Sequence, residues 1–170
     1  MDRHERFTAL FDAYGAHVHR YLRRRLSRAS DVDDLMSEVF LIAWRRFAEI
    51  PREAELPWLY RTSWNVLANH SRKVVALPLG DATDLERIGQ SGGDPADRVL
   101  EDAELAAAWR QLSDRDREVL RLSAWEGLTG AALGSALGVS TTAAATALSR
   151  ARVRFEEILA EPARSGRPVT

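Results

Sequence analysis

Cysteine is absent from the 170-residue chain, which excludes disulfides and cysteine-based zinc or redox centres. Lysine is nearly absent too. Lys73 is the only one and no glycine-rich loop precedes it, so the phosphate-cradling loop of nucleotide hydrolases is missing. The four histidines (His4, His17, His19, His70) are scattered and form no metal set. No apolar run approaches the roughly 20 residues that span a bilayer; the longest is Val39 to Trp44. The amino terminus is charged and lacks a signal-peptide core. The reading is a cytoplasmic chain with no membrane insertion, no cofactor, no metal and no catalytic cluster, hence not an enzyme.

What is present points to a folded chain. A 45% hydrophobic and 29% charged composition belongs to globular rather than disordered proteins. The net charge of -1 argues at first against nucleic acid, but it hides a pattern. Residues 1–73 carry a net of +3, residues 74–104 a net of -6 and residues 105–170 a net of +2. Two mildly basic blocks flank one acidic block.

Helical periodicity covers most of the sequence. Phe7, Leu10, Phe11, Tyr14, Val18, Tyr21 and Leu22 form one face of a long helix. A second helix is expected after Ser30, which stands in capping-box spacing to Asp33. Its apolar face is Val32, Leu35, Met36, Val39, Phe40, Ala43 and Phe47. A third begins near Pro57, a residue suited to a first helical position, and runs to about Arg72. From about Ala76 the signal stops, with four glycines and two prolines before Asp97. This reads as an acidic, flexible linker over 76–96, the alternative being a long surface loop. About 22 such residues would span roughly 25 Å relaxed, letting two small bodies sit well apart on one large partner.

Helices resume over 97–112, again after Ser113 with Asp116 in capping position, from Thr129 to Leu137, and from Ser140 to about Leu159. The tail, 161–170, is expected to be disordered. A short helix, a turn at Gly138 and a longer helix have the layout of a helix-turn-helix. Leu133 and Leu137 would share a core with Ala144, Leu148, Ala151 and Phe155. The opposite face carries Thr142, Ala145, Thr146 and Ser149, with Arg150, Arg152 and Arg154 beyond. This face suits a major groove flanked by phosphates; an ordinary helical hairpin is the bland alternative.

The segments Leu112 to Leu120, Glu126 to Thr129, Leu137 to Ser140 and Ser149 to Arg152 resemble the carboxy-terminal domain of extracytoplasmic-function (ECF) RNA polymerase sigma factors. Alone they also fit the helix-turn-helix domain of a response regulator. Asp31 to Trp44 resembles the polymerase-binding segment of the same sigma family. Trp58 to Arg61, followed by Asn65-Val66-Leu67, resembles its promoter-melting segment. The resemblance covers 6–75 and 97–157. It implies an all-α protein of two small helical domains: residues 1–75 for core polymerase and the −10 element, and residues 97–160 for the −35 element.

The resemblance also assigns roles. Asp34, Leu35, Glu38, Phe40 and Leu41 would dock on the β′ clamp helices of core polymerase, while the second domain meets the β flap. Arg61, Trp64, Asn65, Asn69, Arg72 and Lys73 would bind −10 DNA, with a flipped base held by Asn65 and the 47–56 loop. Trp58 and Tyr60 are read as core aromatics, the alternative being that they stack on bases or wedge between them. Thr141, Thr142, Ala145, Thr146, Ser149, Arg150 and Arg152 would read −35 DNA. An anti-sigma factor is a further implied partner. One departure stands out: Thr141 to Ala147 carries no charge, where the family commonly places Lys or Arg at the position of Ala145. Weak or altered −35 readout is expected, and an adaptor without promoter reading remains the alternative, as does a stand-alone helix-turn-helix regulator. Gly130 and Gly134 are expected to soften the first helix of the motif by about 1 kcal/mol each.

Overall fold

A computed structural model describes residues 2–76 and 103–160, with side chains over 2–72 and 103–160. The expected linker beyond Ala76, the start of the helix expected over 97–112, the tail 161–170 and the Lys73 side chain lie outside the described residues. Within them the chain is all-helical. In chain order, α1 is Arg3–Arg23, α2 Ala29–Arg45, α3 Glu55–Ala76, α4 Ala103–Gln111, α5 Asp114–Ala124, α6 Gly130–Leu137 and α7 Thr141–Ala160. Two short 3₁₀ turns, Phe47–Glu49 and Arg52–Ala54, connect α2 to α3.

Helices α1–α3 close one bundle. Leu10, Val18, Tyr21 and Leu22 from α1 meet Val32, Leu35, Val39, Phe40 and Ala43 from α2, and Leu59, Tyr60, Val66 and Leu67 from α3. Phe7 stands edge-on to Phe40, Trp44 and Phe47 at centroid distances of 6.4, 5.1 and 5.7 Å, the arrangement aromatic quadrupoles favour. Asp2 caps α1 through a reciprocal box with Glu5. The expected Ser30 cap on α2 is not formed. The helix starts two residues earlier, at Ala29, with Arg28 at the cap position and no side-chain bond to the helix end. Ser30 donates instead to Asp31.

Helices α4–α7 form the second bundle. Ser113 caps α5, its hydroxyl accepting from the Asp116 N–H at 3.1 Å, and Ser140 accepts from the Ala143 N–H at 3.1 Å to start α7. Gly138 ends α6 in the left-handed region, at φ 69°, which glycine enters at no steric cost. Helices α6 and α7 then diverge by 88°, the angle of a helix-turn-helix. A smaller cluster joins Trp109 and Leu112 to Leu120, Trp125, Phe155 and Ile158.

Gly134 does more than soften α6. A Cβ there would lie 3.0 Å from the Val139 carbonyl oxygen and 3.3 Å from the Thr141 nitrogen. The turn is also anchored at this point, because the Val139 N–H donates to the Gly134 carbonyl at 2.9 Å. Glycine is thus the residue that lets the turn fold back on its helix. Gly134→Val is expected to destabilise the second bundle by about 1–3 kcal/mol through overpacking, despite leaving a less flexible chain. Thermal melts followed by circular dichroism check this, and a melt unchanged from the parent would contradict the close approach.

The two bundles touch. The carboxy-terminal end of α1 and the first half of α3 pack on α5, α6 and the turn after α5, and buried residues of both bundles form one continuous cluster. Nothing in the local sequence pattern signalled this contact.

Candidate nucleic-acid and protein interfaces

On α2, Asp34, Glu38 and Leu41 are exposed and fall at i, i+4 and i+7, one face of a helix. Leu41 is an exposed large apolar side chain, 47% accessible, beside two carboxylates. Leu35 and Phe40 are corrected here. Both were expected among the docking residues, yet they are buried in the first bundle, and Phe40 is packed against Phe7 and Phe11. They hold the helix in place while their neighbours present its outer face. The reason is periodic: these two positions lie on the inward stripe with Val32, Val39 and Ala43.

On α3, Arg61, Asn65, Asn69 and Arg72 are all exposed, and Trp64 is half-buried at their edge. Arg72 donates to the Asn69 side-chain oxygen. Thr62 and Ser63 face inward, and their hydroxyls donate to the carbonyls of Trp58 and Leu59 one turn back, at 3.0 and 2.8 Å. The helix buries its hydroxyls locally satisfied and leaves amides and guanidinium groups outward. Tyr60 is core, stacked on Tyr21 with centroids 5.0 Å apart, and Trp58 packs against the core with Arg46 above its ring.

The surroundings of Asn65 differ from expectation. With Arg61 and Trp64 it lines a cavity of about 190 Å³ whose other walls are Arg115, Glu118, Ala136 and Leu137. These walls come from the second bundle rather than the 47–56 loop. Phe47 and Ile50 of that loop are buried.

On α7, Thr141, Thr142, Ala145, Thr146, Ser149, Arg150 and Arg152 are all exposed, while Ala144 and Ala151 are buried. The turn and its glycine therefore deliver an uninterrupted small-polar face ending in two arginines. Arg154 is not part of it. Its guanidinium meets both Asp116 carboxylate oxygens at 2.8 Å, so it ties α7 to α5.

A buried polar network joins the bundles. Glu118 on α5 is 2% exposed. It accepts from the Tyr21 hydroxyl at 2.6 Å and from Arg25 Nε at 3.0 Å. Glu126 accepts from the Tyr60 hydroxyl and from Arg24, each at 3.3 Å, and lies 3.5 Å from Arg25 Nη1. Burial pushes the Glu118 carboxyl above its ordinary value, against the pull of Arg25 and the Tyr21 hydroxyl. Burial also pushes the Tyr21 hydroxyl well up, with Glu118 adding to it. Burial works against the charge of Arg25, but Tyr21, Glu118 and Glu126 together raise its pKa. In the sequence these were ordinary surface-type charges. The one available signal was spacing, since Glu118 stands a single turn before Leu122 on the stripe that α5 buries.

Among the described residues no group of three or more His, Asp or Glu is placed to hold a metal ion, and no single helix is long and apolar enough to cross a membrane.

Two family descriptions match the chain: Sigma-70 region 2 over residues 10–75 and Sigma-70 region 4 over residues 102–155. The ECF RNA polymerase sigma factor BldN of Streptomyces coelicolor is 29% identical over 163 residues, covering 93% of this chain. The probable RNA polymerase sigma factor RfaY of Xanthomonas campestris pv. campestris is 35% identical over 127 residues, covering 71% of it. The chain spans 62% of the length of the first relative and 32% of the second. A solved structure of CnrH in complex with the cytosolic domain of CnrY shares the fold, with a TM-score of 0.58 at 22% identity, covering 92% of this chain and 89% of that one.

Proposed function

The chain belongs to the sigma-70 family, with regions 2 and 4 in that order, and from this premise we propose that it is an ECF-type sigma factor. It directs core RNA polymerase to promoters in the cytoplasm, through −10 melting by α3 and −35 recognition by α7. The observation that carries the reading is the pairing of both regions in one chain with an outward polar stripe on α3 and an outward helix-turn-helix face on α7. Domain limits of 1–75 and 97–160 fit these two units.

The α2 face of Asp34, Glu38 and Leu41 docks on the β′ clamp helices, where carboxylates seek basic partners and Leu41 an apolar one. On α3, Arg61 and Arg72 hold phosphates, Asn65 and Asn69 pair with base edges, and Trp64 stacks on an unpaired base. Lys73 extends this stripe in sequence. On α7, Arg150 and Arg152 hold phosphates beside a readout built from hydroxyls and methyl contacts. The second domain rests on the β flap. The protein supplies no chemistry of its own; binding energy opens and holds the duplex while polymerase makes the transcript. An anti-sigma factor covering these faces is the expected regulator.

Run-off transcription tests this, using core polymerase, the purified chain and the DNA upstream of its own gene. A discrete transcript that depends on the chain is expected. Stable core binding without transcript across a promoter library would favour an adaptor, the reading that the uncharged start of α7 supports. No affinity for core would overturn both.

A further inference from the structure

We propose that α7 selects its DNA by the C5 methyl groups of thymine, through Thr142, Ala145 and Thr146, rather than by paired hydrogen bonds to purine edges. The −35 segment this chain prefers is therefore rich in T·A pairs. The inference rests on the reading of α7 as the −35 face and goes beyond it, to the base pairs that face accepts.

What the face lacks is the first argument. Guanine is read by the paired donors of Arg or Lys, and adenine by the amide of Asn or Gln. None of these four residue types occurs between Thr141 and Ser149. In a helix-turn-helix the N-terminal part of the second helix meets the base edges. From Thr141 to Ser149 the helix rises about 12 Å, or roughly three to four base pairs. Over that span no side chain is present to pick out a purine.

What the face offers is the second. Thr142, Ala145 and Thr146 are exposed, and each carries a methyl group. Val139, just ahead of the Ser140 cap, adds a branched apolar side chain that the bundle leaves 38% exposed. Thymine is the base that presents a methyl group in the major groove, and contact between methyls removes apolar surface from water on both sides. The hydroxyls of Thr142, Thr146 and Ser149 bond to no group among the described residues, unlike those of Thr62 and Ser63 on α3. A hydroxyl serves donors and acceptors alike, so these groups hold the helix to base edges without choosing among them.

Approach is the third. Side chains this short require the helix backbone to come close to the groove floor, and Ala145 at the centre of the face permits it. Arg150 and Arg152 are exposed beyond that face, and neither meets an acid among the described residues. Arg154, by contrast, is taken by Asp116. Two guanidinium groups left to phosphates fix the helix in register, while the small residues ahead of them lie in the groove.

The test uses the parent chain with core polymerase, on the promoter duplex mapped by run-off transcription. Deoxyuridine replaces thymidine throughout the −35 segment, which deletes the methyls and leaves every hydrogen-bonding group in place. Affinity is expected to fall about 4-fold for each contacted methyl, and to stay within about 2-fold when as many thymidines are replaced in the spacer between the elements. Thr142→Ser with Thr146→Ser keeps both hydroxyls and removes both methyls, so it should discriminate between the two −35 duplexes at least about 3-fold less than the parent. Equal affinity of the parent for both duplexes overturns the proposal. So does a mapped −35 segment without thymine, or a serine variant that discriminates as well as the parent. A chain that makes no transcript and ignores polymerase defeats the sigma reading instead. The full chain alone is then given random-sequence duplex pools synthesised with thymidine or with deoxyuridine: tighter binding of the thymidine pool upholds the methyl readout, and equal retention overturns it.

Discussion

Trp64→Ala combined with Asn65→Ala is expected to reduce run-off transcript by at least about 30-fold while leaving affinity for core polymerase within about 2-fold of the parent. Base-on-aromatic stacking contributes about 1–3 kcal/mol, and a well-placed amide reading a base edge contributes about 1–3 kcal/mol of discrimination. Their loss amounts to about 2–6 kcal/mol in the open complex, where each 1.4 kcal/mol is roughly a factor of 10. Core binding should survive because the outward face of α2, with Asp34, Glu38 and Leu41, belongs to a different helix and does not depend on either side chain. Asn65 is exposed and Trp64 half-buried, so truncation leaves the inward stripe of Val66 and Leu67 intact. Permanganate footprinting of the melted region and a separate polymerase-binding titration distinguish the two effects. Equal loss of both would make Asn65 and Trp64 structural, and the polar stripe merely solvated surface.

The second large effect concerns stability. Leu133 is 1% exposed and sits in α6, the helix that packs on α7, α5 and α3 at once. Leu133→Ala removes that contact and leaves a cavity, which costs about 2–5 kcal/mol. In a small domain each kcal/mol moves the melting midpoint by about 4–8 °C, so a fall of roughly 10 to 40 °C is expected for the transition that reports the second bundle. Leu133→Met, close in volume, should cost less than about 1.5 kcal/mol. Calorimetry of both variants checks the prediction. A drop under 1 kcal/mol for the alanine variant would mean that α6 collapses freely onto its neighbours, and its close fit to the α3 face would then be in doubt.

The contrast between these two predictions follows from where the residues act. Leu133 serves the fold, and its loss should weaken −35 contacts only through unfolding. Asn65 is exposed and Trp64 half-buried at the edge of the stripe, so their loss should move the melting transition far less than it moves transcription. A variant that moves the wrong observable would reassign its residue.

Much of this molecule was legible in the order of its residues. The apolar repeat of α1, the caps at Ser113 and Ser140, the left-handed Gly138 and the Ala144–Ala151 stripe of α7 all appear where spacing placed them. Each depends on residues within about four positions of one another, and helical periodicity and cap chemistry are local. The limits show in the same terms. Ser30 has the right type and spacing for a cap, yet Arg28 occupies that position and Ser30 lies inside the helix. Leu35 and Phe40 lie in a segment that resembles a docking motif, but they share the apolar stripe of Val32, Val39 and Ala43 and are buried with it. Gly134 looked like a weak helical residue until the turn was seen to press against it.

By itself, then, the sequence determined the helices, the helix-turn-helix and the two sigma-70 regions. The tertiary structure alone decided the partners of its charges. Arg154 finds Asp116 across 38 positions, and Tyr21 finds Glu118 across 97. A charged side chain has the same signature in a sequence whether it faces water or a buried opposite charge. The difference is set by desolvation and by a partner distant along the chain, and both exist only once the two bundles have met.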